Sequence, residues 1–178
     1  MSSGKRLVLA VGGGIAAFKT ATVVSRLAQQ GHAVRVAMSP AASQFIGAST
    51  LAALSGRPVA TEIFSPALYP LGAHIELARD CDLFVVAPAT ADLLAKFAAG
   101  IADSLITTLY LQMTAPVLLA PAMSNLMWEK PAVQRNVRQL QEDGVRLVGP
   151  ETGWLSCREQ GAGRMTEAEA LVDAILQA

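Results

Sequence analysis

The sequence predicts an α/β fold: a doubly wound, Rossmann-like or flavodoxin-like parallel sheet with helices on both faces, formed as a single domain over residues 1–178. Three observations carry this expectation. Short β-branched runs alternate with longer stretches whose apolar residues recur at three and four spacing. The short runs are predominantly apolar, as in strands buried on both faces. The first of them ends in a glycine turn that opens onto a helical stretch. In chain order, residues 6–11 (RLVLAV) form the first strand, and residues 16–30 a helix that Gly31 stops. Residues 34–38, 82–88 and 116–121 are further strands, the last two each ended by a proline that turns the backbone. Helices follow over residues 91–100, 103–112 and 131–143, the last stopped by Gly144, and residues 145–149 make a final strand. Thr166 caps a closing helix to Leu176, with Glu169 completing a capping box. Residues 153–165, GWLSCREQGAGRM, show neither period and read as a long glycine-punctuated loop.

Composition narrows the function classes. With 52% hydrophobic and 16% charged residues, 178 residues suffice for one well-filled core. Fourteen basic residues balance fourteen acidic ones, so no summed field draws the chain to nucleic acid or to an anionic membrane. The apolar run near the start is too short to span a bilayer, and a cytoplasmic location is expected. Small molecules and further copies of the chain are the expected partners. A mean hydropathy of +0.40 with few aromatics points to aliphatic faces buried between subunits. Two cysteines are too few for a disulfide framework and lack metal-ligand spacing, so no metal is expected. Cys81 precedes a buried strand and reads as core filler. Arg158 and Arg164 flank the loop that carries Cys157, and nearby positive charge favours a thiolate.

In a parallel sheet, ligands sit beyond the carboxyl ends of the strands. The first such loop is VGGGIAAFK, where Gly12, Gly14 and Ala17 fit the G-x-G-x-x-G/A spacing that offers amides at a helix N-terminus to an anion. The alternative role for these glycines is close helix-to-sheet packing. The second strand ends in Met38, Ser39 and Pro40 with no carboxylate for ribose hydroxyls, which favours a mononucleotide phosphate over a nicotinamide dinucleotide. The later loops, APATADLL and APAMSNLMW, place Thr90, Asp92, Ser124 and Asn125 at successive strand ends, where helix capping is the competing explanation. His74 follows a loop rich in Pro and Gly, a setting in which a lone histidine is ordinarily a surface group.

Taken in order, GGGIAAFK, HIEL, PATAD with AAGIADSLITT, PAMSNLMW and SCREQGAGRM resemble the flavin-dependent cysteine decarboxylases, in particular the branch acting on 4′-phosphopantothenoylcysteine. The resemblance runs from Arg6 to about Met165. It implies FMN as cofactor, with its phosphate at Gly12, Gly13, Gly14, Ile15, Ala16 and Ser39 and its ring bordered by Ala89, Thr90, Asp92, Asp103 and Ser104. It implies catalytic roles for His74, facing the flavin of a neighbouring subunit, and for Cys157, on a flap over the substrate. Ala122, Met123, Met127 and Arg164 would contact the substrate, phosphopantothenoylcysteine, in a homotrimer or a dodecamer of trimers. The family's reaction oxidises the CH2–SH group to a thioaldehyde, loses carbon dioxide to give an enethiolate, and reduces it to 4′-phosphopantetheine. The sequence stops one helix after GRM, so the decarboxylase alone is expected, without the synthetase domain often fused to it.

Two departures stand out. Gly12 occupies a position where many relatives carry Ser. Ser124 occupies the position of the family's carboxylate-binding asparagine, with Asn125 displaced by one. Three readings remain open: Asn125 reaches round, Ser124 suffices, or the substrate differs. The alternatives are a peptidyl-cysteine oxidative decarboxylase that stops at the enethiol, and a non-catalytic FMN-binding regulatory subunit. Flavin prenyltransferases share the fold and FMN but lack the PAM-x-x-x-MW and cysteine-loop motifs.

Overall fold

The apolar runs pair as expected in a computed structural model, which describes residues 4–178. Strands β1 (Arg6–Val11), β2 (Ala33–Met38), β3 (Val59–Ala60), β4 (Leu83–Ala89), β5 (Val117–Pro121) and β6 (Arg146–Leu147) form one sheet in the order β3-β2-β1-β4-β5-β6, all neighbours parallel. This is the Rossmann order, and it reverses between β1 and β4.

Alternation along β1 sorts the core into two layers. Leu7, Leu9 and Val11 pack with Val23, Val24 and Leu27 of α1 (Ala17–Gln29) and with Leu171, Val172 and Ile175 of α8 (Ala168–Leu176). On the other face, Val8, Ala10, Phe84 and Val86 meet α4 (Ala91–Ala98), α5 (Leu105–Gln112) and α7 (Pro131–Glu142), whose contributions include Leu94, Phe97, Ile106, Leu109 and Leu140. Each fully buried Leu, Val or Phe contributes about 2 kcal/mol by leaving water, so these two layers dominate the stability.

Four local features differ from the sequence expectation. First, α2 (Ala48–Ser55), α3 (Ala73–Ala78), a 3-10 turn over Pro40–Gln44 and the two-residue β3 are additional elements. They are too short for a periodic signal. Second, Pro88 does not end its strand but lies within β4, where the register against β5 shifts between Val86 and Ala89. An irregularity of this kind tolerates the missing amide hydrogen. Third, α8 begins at Ala168 with Glu167 at its N-cap and no side-chain cap, so the Thr166–Glu169 capping box is not formed. Thr166 is buried instead, beside Gly149. Fourth, part of the supposed loop is an antiparallel hairpin, β7 (Glu151–Trp154) and β8 (Gln160–Arg164). Among the described residues, no helix is long and apolar enough to cross a membrane.

The opposite end of the sheet carries an ion pair with a testable signature. Asp82, just before β4, accepts from the Arg6 amide at 2.7 Å and from the guanidinium at 2.8 and 3.2 Å. Hydrogen bonds from Arg6 hold its carboxyl down to about 2, against an ordinary value near 3.8. A depressed folded value adds stability above the unfolded value, and that stability is lost as pH falls through the folded one. The Asp82→Asn variant should therefore be less stable than the parent above about pH 4 and converge with it toward pH 2. Urea midpoints across that range check this; a constant difference would show that the pair does not act through charge.

Candidate active site

The site is assembled where the strand order reverses. β1 leaves the sheet at Val11, and residues 12–16 turn into α1 with hydrogen bonds from Gly14 to Gly12 and from Ala17 to Gly14. A Cβ on Gly12 would overlap the Pro88 carbonyl, so this glycine is required by contact with irregular β4. Ser at this position would have no room. Gly12 accordingly lies outside the cavity, while Gly13, Gly14, Ile15 and Ala16 line it. The amides of Gly13, Ile15 and Ala16 donate to no group among the described residues and are available to an anion at the α1 N-terminus.

The cavity measures about 500 Å³, ample for a cofactor and a small substrate arm. Its walls come from the glycine turn, the Thr90 end of β4, the Ala122–Met127 stretch after β5, and the hairpin. Of the expected substrate contacts, Ala122, Met123, Met127 and Arg164 all line it, as do Ser124 and Cys157. Thr90 and Ser124 also cap helices: Thr90 Oγ1 accepts from the Leu93 amide at 3.3 Å, and Ser124 Oγ from that of Met127 at 3.4 Å. Capping and lining thus coincide in the same side chains.

Other expected residues lie outside the cavity lining within one chain. Ser39 Oγ accepts from the Ala42 amide at 3.2 Å and caps the 3-10 turn that presses Ala41 against Gly13. Ala89 is wholly buried in β4. Asp92 and Asp103 both pair with Lys96, at 3.2 and 3.0 Å. Ser104 forms a capping box with Thr107. His74 sits in the first turn of α3, its ring folded over Gly72 and its Nδ1 buried without a partner among the described residues. In the chain segment before it, Phe64, Leu68 and Leu71 are exposed. Asn125 opens α6 (Asn125–Trp128) and faces Gly161 under the hairpin, its Oδ1 buried and without a partner among the described residues.

The hairpin explains the glycines that hid it. A side chain at Gly161 would strike Asn125, and one at Gly163 would strike the Met123 carbonyl. β8 therefore lies directly on the strand-end loop, and Met123 N donates to Gly163 O at 3.0 Å. At the far end, residues 155–158 turn with Arg158 at φ 66° and present an exposed Cys157 toward the cavity. Cys81, by contrast, donates to Leu83 O at 3.2 Å, and burial pushes its thiol up, as suits core filler.

One charged group went unrecognised in the sequence. Lys19 has a side chain only 11% exposed; its Nζ donates to Met165 O at 2.9 Å and pairs with Glu167 at 3.0 Å. Glu167 also accepts from Arg164, and the Lys19 ammonium holds its carboxyl below the usual range. Arg164, one of the two arginines expected beside Cys157, is thus paired with Glu167. The lysine stands in the quoted VGGGIAAFK, one turn beyond the glycines, and that position was the available signal. Its partner lies far along the chain and gave none.

These features can be set beside known proteins. The coenzyme A biosynthesis bifunctional protein CoaBC of Mycobacterium bovis is 47% identical over 167 residues, covering 94% of this chain and 40% of that protein. CoaBC of Escherichia coli is 44% identical over 171 residues, covering 96% and 42%. The chain spans about two fifths of the length of these curated relatives. Among solved structures, the FMN-dependent cysteine decarboxylase SpaF superposes with a TM-score of 0.80 at 33% identity, covering 98% of this chain and 97% of that one. A cysteine-to-serine mutant of PPC decarboxylase complexed with pantothenoylaminoethenethiol gives 0.85 at 27% identity, with coverage of 98% and 97%. The Flavoprotein family model matches residues 1–178. A Rossmann-order sheet with its cavity at the β1–β4 reversal, and a family match along the full sequence, agree: the chain belongs to the flavoprotein family.

Proposed function

We propose that this chain binds FMN and decarboxylates 4′-phosphopantothenoylcysteine to 4′-phosphopantetheine, in the cytoplasm, as a homo-oligomer. The observation that carries the proposal is that Cys157, Ser124 and the glycine turn, far apart in sequence, line one cavity. The CoaBC relatives and the PPC decarboxylase neighbour support the substrate.

The residues present fit FMN. Unpartnered amides at Gly13, Ile15 and Ala16 suit a phosphate monoester, and the predominantly apolar walls suit a flavin ring. When bound, FMN supplies the two-electron oxidation that makes the thiol-bearing carbon an electron sink, and its later reversal. The protein orients the substrate, excludes water and manages protons. Ser124 holds the substrate carboxylate from the cavity wall, while Asn125, turned to the hairpin, supports Gly161. Cys157 donates a proton to the enethiolate carbon. His74, outside the cavity of its own chain, serves a neighbouring copy, and the exposed Phe64, Leu68 and Leu71 in the segment before it are covered in the assembly. Asp92, Asp103, Ser104 and Ser39 act on the flavin from positions set by their capping and ion-pair partners.

Ser124 in place of asparagine keeps a peptidyl-cysteine substrate as the second reading. An assay of the FMN-loaded protein with phosphopantothenoylcysteine beside a cysteine-ending peptide separates the two. Carbon dioxide and the saturated thiol are expected from the former. Preferential turnover of the peptide to an enethiol, or FMN binding without turnover of either, overturns the proposal.

A further inference from the structure

Among the described residues lining the cavity, Lys19 and Arg164 carry charge and the others are uncharged. Two cations held side by side repel unless something between them compensates. Glu167 does so from outside the cavity, accepting from both through the same oxygen, Oε1. A net positive charge remains on the three groups. The arrangement joins three elements: Lys19 is on α1, Arg164 ends β8, and Glu167 is the N-cap of α8. Arg164 also lies across Gly153 of β7, where a Cβ would come within 3.1 Å of its Cδ and Nη1. The guanidinium is therefore fixed by Gly153 on one side and by Glu167 on another.

We propose that Lys19 and Arg164 form an oxyanion subsite for the bound substrate, and that Glu167 is the positioning residue that keeps Arg164 at the cavity wall. The inference rests on the substrate class proposed above, whose members carry two oxyanions, a carboxylate and a phosphate. Charge-assisted hydrogen bonds from a preplaced guanidinium hold either one. Ser124 remains a neutral donor on the wall formed after β5.

Three probes on the FMN-loaded protein test this. Pantetheine carries neither oxyanion, 4′-phosphopantetheine carries only the phosphate, and pantothenoylcysteine carries only the carboxylate. Arg164→Gln should leave calorimetric affinity for pantetheine unchanged. It should weaken 4′-phosphopantetheine, or raise KM for pantothenoylcysteine, by about tenfold. The first result assigns the subsite to the phosphate, the second to the carboxylate. In a Glu167→Gln background the same Arg164 substitution should cost less than about twofold, because the guanidinium is no longer held. Equal weakening of all three probes, no weakening of any, or a full tenfold cost in the Glu167→Gln background overturns the inference. Absence of turnover in the unaltered protein would instead remove the substrate proposal, a result the pantetheine comparison distinguishes.

Discussion

Cys157→Ser is expected to release carbon dioxide from phosphopantothenoylcysteine but to accumulate the enethiol, with formation of saturated product slowed at least about 100-fold. Cys157 is at the exposed tip of the hairpin and lines the cavity that also holds Ser124 and the glycine turn. A serine hydroxyl is a far weaker acid than a thiol, so the proton needed at carbon is withheld while carboxylate binding and carbon dioxide loss are untouched. Mass spectrometry of the thiol products reads the outcome. Saturated product at the parental rate would show that the proton comes from another group.

Gly163→Ala should be comparably damaging, through geometry. Gly163 has φ 138°, and a Cβ there would overlap the Met123 carbonyl oxygen while its own carbonyl accepts from Met123 N. The alanine therefore meets backbone strain and a collision together, for about 1–3 kcal/mol of stability. Relief requires β8 to lift from the Met123 loop, carrying Cys157 and Arg164 away from the cavity wall. A displacement of about 1 Å at a reacting group can cost 100-fold in turnover. Gly144→Ala is the control: its φ is 84° but nothing stands within 4 Å of the added methyl, so strain alone applies and turnover should persist. Urea unfolding with steady-state assays compares them; equal stability losses with turnover intact in both would show that β8 is not fixed by this contact.

The legible parts of the molecule are those governed by neighbours in sequence. Residues 7–11 and 83–88 are apolar throughout because both faces are covered, and α1, α4 and α7 repeat their apolar residues at helical spacing. The hairpin was illegible for a physical reason. Glycines ordinarily weaken a strand, yet Gly161 and Gly163 are required by the loop on which β8 rests. Gly12 belongs to the same class: its spacing suits a phosphate turn, and its contact with the Pro88 carbonyl requires a glycine independently of any ligand. Thr166 resembled a cap by residue type, and burial beside Gly149 decided otherwise.

By itself the sequence determined the parallel α/β class, the turn after β1 and the residue types offered at the strand ends, because periodicity, glycine and proline act over a few residues. Only the tertiary structure decided that Cys157 and Ser124 share a cavity, that Asn125 turns to the hairpin, and that Lys19, Arg164 and Glu167 meet. These contacts depend on residues brought together from different parts of the chain, as Lys19 and Met165 are at a separation of 146, and they arise from how helices and hairpin pack on the sheet.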